Sequence, residues 1–325
     1  MLSPQHTFMK PIPQTIVKQE QQSNLSRPSS GTLKCSEVPC PLALDPSGTT
    51  LGTYRFTKNG FDVFEEPETG LLFVYPLPTQ EQLNKIYSEA YFERGKKYVP
   101  PAGDRSMDPQ RLNDERKLRL LERYQAGTKL LDVGSAMGGF MQVASDAGYQ
   151  VAGVEVSAFG AEYTRTELGL PVYNQPLPEI ALPSESYDTV TMWDVIEHLR
   201  DPHQYLAEVS RITRPNGLMF VATGDVSARY ARLMGRRWHL LTPPQHLFYF
   251  TPASLTRAIE ANGFEVLSIS WPGKYASLDF ALFKARESFG RVLDPVRAFA
   301  RWTGIARLRL YVNLWDIMTV VARKK

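Results

Sequence analysis

Lys129-Leu130-Leu131-Asp132-Val133-Gly134-Ser135-Ala136-Met137-Gly138-Gly139-Phe140 changes character midway. Its first half is apolar with little polar interruption, the pattern of a strand buried on both faces. Glycines and small residues follow, then an apolar-periodic run through Phe140, Met141, Val143 and Ala144. The sequence predicts a strand, a tight turn and a helix. Such a turn lets backbone pass close to a bound cofactor, but it also serves as an ordinary strand-to-helix connection, so its neighbours decide.

Working outward, strands and helices alternate. Gln150-Val151-Ala152-Gly153-Val154-Glu155 predicts a second buried strand ending in an acid, followed by a helix over 158–168 and a short strand at 172–173. Tyr187 to Trp193 predicts the next strand, 202–212 a helix, and Pro215-Asn216-Gly217 a turn into a strand over 218–222. A helix over 252–262 and strands over 264–269 and 317–322 close the chain. Asp108 precedes a charged amphipathic helix over about 109–125. This alternation predicts an α/β fold with a mostly parallel, Rossmann-like sheet, helices on both faces, and ligands at the carboxyl ends of the strands.

The chain has 325 residues, 43% hydrophobic and 22% charged, with net charge +3, which is too small an excess to favour nucleic acid. Its two cysteines and lack of an 18-residue apolar run exclude a disulfide scaffold and a spanning helix, and a cytoplasmic setting is the expectation. Polar residues over 1–32 predict a disordered leader. Residues 33–100 predict a small β-rich module with a hairpin at Asn59-Gly60, a third strand near 70–75, a helix over 81–87, and an aromatic plug at Tyr91-Phe92. Pro100-Pro101-Ala102-Gly103 marks a linker, and 101–325 forms the main domain. Within it, 273–312 predicts a helical insertion broken near Pro295 or Gly304, mixing aromatics with arginines. The bland reading is a cap with snorkelling arginines, and the sharper one is peripheral membrane contact through 278–309.

Glu155 stands 23 positions after Asp132, where a carboxylate can accept both ribose hydroxyls of an adenosine. The dinucleotide pattern Gly-x-Gly-x-x-Gly is broken here as Gly134-x-Ala136-x-Gly138-Gly139. Asp132 would repel a pyrophosphate, whereas a cofactor with an amino group and a sulfonium tolerates it.

On these residues, 110–270 resembles a class I S-adenosylmethionine-dependent methyltransferase. Leu130 to Phe140 is similar to the family's first motif, with Ala136 in place of the middle glycine. Tyr187-Asp188 and Met192-Trp193-Asp194-Val195-Ile196-Glu197-His198-Leu199 resemble the fourth-strand segment of the ubiquinone-biosynthesis-like branch. The resemblance implies a seven-stranded sheet with an antiparallel last strand and S-adenosylmethionine as cofactor. It also implies that Asp132, Gly134, Ser135, Ala136, Gly138, Glu155, Trp193, Asp194 and Val195 surround that cofactor. The small module resembles the zinc ribbon of sugar C-methyltransferases, but its ligand positions fall on Cys40, Ala43, Glu66 and Thr69. The shape is therefore expected without a metal.

In-line methyl transfer to a poorly ionised hydroxyl or carbon acid needs a base. His198, at the mouth of the fourth strand, and His246, in the long loop after strand five, are the candidates. Tyr249 and Tyr275 are candidate pocket walls, and Arg236 and Arg237 candidate partners of an acidic group. The expected activity is methyl transfer to an oxygen or carbon of a small-molecule acceptor. The alternatives are a membrane-associated quinone, lipid or glycan-precursor methyltransferase, and a non-catalytic S-adenosylmethionine-binding protein.

Overall fold

The computed structural model describes residues 37–42, 50–79, 81–83 and 108–325. The expected leader, Cys35, Ala43, most of the helix over 81–87, the Tyr91-Phe92 plug and the linker at 100–103 lie outside the described residues.

Strands β1 (Glu37–Pro39), β2 (Leu51–Lys58), β3 (Phe61–Glu65) and β4 (Leu72–Val74) form an antiparallel meander. Asn59 and Gly60 both take left-handed φ, 52° and 84°, as a tight hairpin turn asks. Two of the positions that align with the ribbon's ligands, Glu66 and Cys40, have other roles. Glu66 accepts from the backbone N–H of Glu68 at 2.7 Å and of Thr69 at 2.8 Å, and from the Thr69 hydroxyl. Burial pushes the Cys40 thiol up to about 12, and it donates to the Leu42 carbonyl at 3.1 Å. A zinc site asks for thiolates; here one cysteine is held as a thiol and the acid caps a turn.

The main domain begins with α1 (Pro109–Arg123), capped by Asp108, and β5 (Lys129–Val133). It continues through α2 (Gly139–Asp146), β6 (Gln150–Val154), α3 (Ala158–Leu168), β7 (Val172–Tyr173), β8 (Tyr187–Trp193) and α4 (Pro202–Ile212). Then come β9 (Thr213–Gly224), α5 (Arg229–Met234), β10 (Phe248–Tyr249), α6 (Pro252–Ala261) and β11 (Phe264–Ser270). The last elements are β12 (Lys274–Ser277), α7 (Leu278–Phe289), α8 (Asp294–Trp302), β13 (Arg309–Val312) and β14 (Ile317–Lys324).

Seven strands make the central sheet in the order β11-β14-β9-β8-β5-β6-β7. Only β14 runs antiparallel, slotted between β11 and β9. Leu130, Leu131, Val190, Met192, Phe220 and Val221 are completely buried, so the double-sided burial inferred for these strands is real.

Three features differ from the sequence reading. Strand β9 starts at Thr213, and the turn residues form an irregularity within it: Tyr187 pairs with Thr213 while Thr189 pairs with Leu218. The insertion is a hairpin on a two-stranded foot, β12 with β13, and its helices part at Gly290, four residues before α8. Finally, β10 pairs with β4, so the main domain supplies the fifth strand of the small sheet. Arg236 reinforces that seam by donating to the Thr57 carbonyl at 2.7 Å and lying over the Phe56 ring. It is a tether, not the acid-binding group its sequence position suggested.

Candidate active site

The β5–α2 turn is shaped by what surrounds it. The backbone N–H groups of Gly134 and Ser135 both donate to the Val154 carbonyl, at 2.7 and 3.1 Å, which pulls the turn over the end of β6. Gly134 has φ of 75°, and a Cβ there would lie 2.4 Å from Val195 Cγ2, so glycine is needed for both conformation and space. Ala136 also has positive φ, 49°, which an L side chain adopts at a cost. Its N–H donates to Glu155 Oε2 at 2.8 Å, while Glu155 Oε1 accepts from Ser157 N at 2.8 Å. The Val156 amide also bears on this carboxylate, and with about four acceptor sites in all it still has room for a hydroxyl donor. Burial raises the Glu155 pKa against these amide contacts.

Asp132 is buried directly beneath the turn. Its neighbour across the parallel pair, Thr191, donates to Oδ1 at 2.6 Å. Burial nevertheless pushes its carboxyl up to about 7, with Asp114 and Glu155 adding to the rise and Lys117 opposing it. Asp114 is a buried acid on α1, in register with Leu118 and Leu121, and it ion-pairs with Lys117 at 2.8 Å. Burial alone would lower the Lys117 pKa, but Asp114, Asp194 and Asp132 together raise it. Asp194 takes φ of 57° just past β8 and bridges to Lys274 of β12 at 2.8 Å. Burial works to raise its pKa, yet Lys274, Lys117 and His198 bring it below the usual carboxylate range.

Four carboxylates therefore face two lysines around one turn. That donor set suits a ligand with a sulfonium and an ammonium and disfavours a pyrophosphate. S-adenosylmethionine fits here: Asp132 and Asp194 would meet its positive charge and Glu155 its ribose hydroxyls. Ser135 and Trp193 stand beside the same turn. Ser135 Oγ is buried without a partner and turned toward Gly153. The Trp193 indole packs against Phe140, at 5.5 Å between centroids, and near Phe220, with Lys117 Nζ 5.3 Å from its ring centre and its Nε1 unpartnered.

His198 and His246 come together, with ring centroids 4.6 Å apart and edge to face. His198 Nδ1 lies 2.7 Å from the Gln245 carbonyl oxygen, and its Nε2 lies 3.9 Å from Glu197 Oε1. Glu197 is buried and accepts from the Thr223 hydroxyl at 2.8 Å; burial raises its pKa while His198 opposes the rise. Burial, reinforced by His198, pushes the His246 imidazole down to about 3. Glu197, His198 and His246 bring ligand-type atoms within 4.8 Å of one another. Tyr249 is buried and donates to the His246 carbonyl at 3.0 Å, and Tyr275 packs at a tilt against Tyr311 in the insertion's foot, 5.2 Å between ring centres.

Asp114, Lys117 and Lys274 escaped the sequence reading. An acid standing in the apolar stripe of α1 was the available signal for the first. Lys274 had none, because only the unforeseen β12–β13 pairing brings it to Asp194.

Residues 105–269 match a methyltransferase domain family. A probable S-adenosylmethionine-dependent methyltransferase of Mycolicibacterium smegmatis is 32% identical over 146 residues, 43% of this chain and 53% of that protein. The alignment thus spans about half of that relative. A ubiquinone biosynthesis O-methyltransferase of Coxiella burnetii is 22% identical over 206 residues, 59% of this chain and 87% of that protein. Among solved structures, the magnesium protoporphyrin IX methyltransferase of Synechocystis with bound SAH superposes with a TM-score of 0.52 at 11% identity, covering 76% of this chain and all of that one. The [4+2]-cyclase SpnF gives 0.53 at 18% identity, over 76% of this chain and 97% of that one, so at this distance likeness establishes the fold alone. The matched segment is just over half of the sequence and contains the whole turn and its carboxylates: the chain belongs to the class I S-adenosylmethionine-dependent methyltransferases.

Proposed function

We propose that this protein transfers a methyl group from S-adenosylmethionine to an oxygen or carbon of a small-molecule acceptor, with His198 as general base. The orientation of His198 carries the reading. The Gln245 carbonyl can only accept, so Nδ1 holds the proton and Nε2 offers its lone pair. The bound cofactor supplies an electrophilic methyl on a positively charged sulfur. His198 takes the proton that the acceptor loses, and the Glu197 carboxylate beside Nε2 stabilises the imidazolium. His246, neutral at physiological pH, packs against His198 and excludes water instead of exchanging protons. The Coxiella relative is an O-methyltransferase of ubiquinone biosynthesis, which supports an oxygen acceptor here.

The reading extends to the setting: a cytoplasmic protein in peripheral contact with a membrane through 278–309, as a quinone, lipid or glycan-precursor acceptor would require. For the small sheet we propose a ribbon shape kept by packing, without zinc; one equivalent of zinc in the purified protein would overturn that.

Transfer of label from S-adenosylmethionine to extracted phenols, quinols and lipids tests the main reading. His198→Ala should lower turnover by about 10²–10⁴-fold with donor affinity unchanged, and His246→Ala by much less. Equal turnover in His198→Ala and the parent chain would remove His198 as the base. A donor-binding protein without turnover would label nothing in either form.

A further inference from the structure

The hairpin between β12 and β13 is built inside out. On α8 the inner positions are Ala300 and Arg297, and the Arg297 guanidinium donates to both Asp279 oxygens at 2.8 and 2.9 Å. Arg301 donates to the same carboxylate at 2.7 and 2.9 Å, and together they hold Asp279 far below the usual carboxylate range. The outer face carries Val296, Phe299 and Trp302, 50%, 57% and 82% exposed. Phe289, at the end of α7, and Val292, in the turn between the two helices, are exposed as well. Amphipathic helices on soluble domains turn this stripe inward. A contiguous apolar row facing outward marks an interaction surface.

Charge identifies the partner. Residues 278–309 contain seven lysines and arginines against three acids, a net of +4, whereas the whole chain is only +3. The remaining sequence sums to only −1, and this segment sets its +4 beside exposed apolar side chains, a combination that an anionic surface attracts. A second copy of the chain would set +4 against +4. No helix among the described residues is long and apolar enough to cross a bilayer, so the helix would lie in the interface plane.

We propose that the outer face of α8, with Phe289 and Val292, docks the protein on an anionic lipid bilayer, flanked by exposed Arg291 and Arg307. The proposal rests on the methyltransferase reading in one respect: the hairpin's foot reaches the active-site rim. Asn113 of α1 exchanges hydrogen bonds with the Tyr275 backbone at 2.7 and 2.9 Å, Arg116 donates to the Gly273 carbonyl at 3.0 Å, and Lys274 bridges to Asp194. A docked hairpin would thus hold the acceptor side of the site beside the bilayer.

The test is co-sedimentation of the full chain with phosphatidylcholine vesicles, with and without 30 mol% phosphatidylglycerol (about that fraction, so that the surface is distinctly negative). Binding should require the anionic lipid and weaken with salt. The Val296→Glu/Phe299→Glu/Trp302→Glu variant should lose at least about 100-fold in partitioning. Arg291→Gln/Arg307→Gln, which leaves the apolar row intact, should lose about 10- to 30-fold. Calorimetric affinity for S-adenosylhomocysteine should be unchanged in both, which confirms folding and separates this proposal from the catalytic one. Absence of binding to anionic vesicles, equal binding by the triple variant, or a parent dimer that the triple variant abolishes would each overturn it.

Discussion

In β5 and β8 the side chains of Leu130, Leu131, Val190 and Met192 are sealed from water, whereas in α8 Val296, Phe299 and Trp302 face out and Arg297 takes the inner side. Both regions are apolar stripes on regular elements. The sheet encloses its own and closes a cofactor turn over it; the hairpin leaves its own for something outside the chain. Sidedness, not composition, separates a core from a docking surface.

That contrast can be broken by substitution. Leu131→Ala removes a completely buried side chain from the middle of the sheet and should cost about 2–5 kcal/mol in denaturant unfolding. A smaller effect is expected at the turn: Ala136→Gly relieves a left-handed L-residue and should gain about 0.5–1 kcal/mol after the entropy of glycine is counted. Smallest of all, Trp302→Ser removes a larger apolar group than Leu131→Ala but from the exposed face, and should shift stability by less than about 0.5 kcal/mol. A loss at Trp302 comparable to that at Leu131 would mean that the hairpin packs on the protein itself, and the contrast would fail.

The sheet was legible because its signals are local. Alternation and the apolar runs place α1 to α4 and β5 to β8 within a few residues of the sequence expectation. The cofactor carboxylates Asp132 and Glu155 could be read for the same reason, each ending or preceding a recognisable turn. What escaped depends on pairings between distant segments. Lys274 meets Asp194 across 80 residues, Gln245 orients His198 across 47, and Phe248 joins a strand 175 positions earlier. The surroundings of the Trp193 indole were not legible either, because strand position fixes where a residue stands, not which neighbours its side chain packs on.

The central claim is that the carboxylate-rich turn binds a positively charged methyl donor. Calorimetric titration with S-adenosylmethionine between pH 6 and pH 8 tests it directly. Burial holds the Asp132 carboxyl at about 7, well above its unfolded value, so in the free protein its protonated form is favoured at low pH. The stability this group contributes is full below about pH 4 and lost as pH rises through 7. A cationic ligand favours the carboxylate, so binding should release a proton. One-to-one affinity should rise about tenfold from pH 6 to pH 8, and Asp132→Asn should flatten that rise. Binding that is absent in the folded protein, or that strengthens toward low pH, would contradict the account.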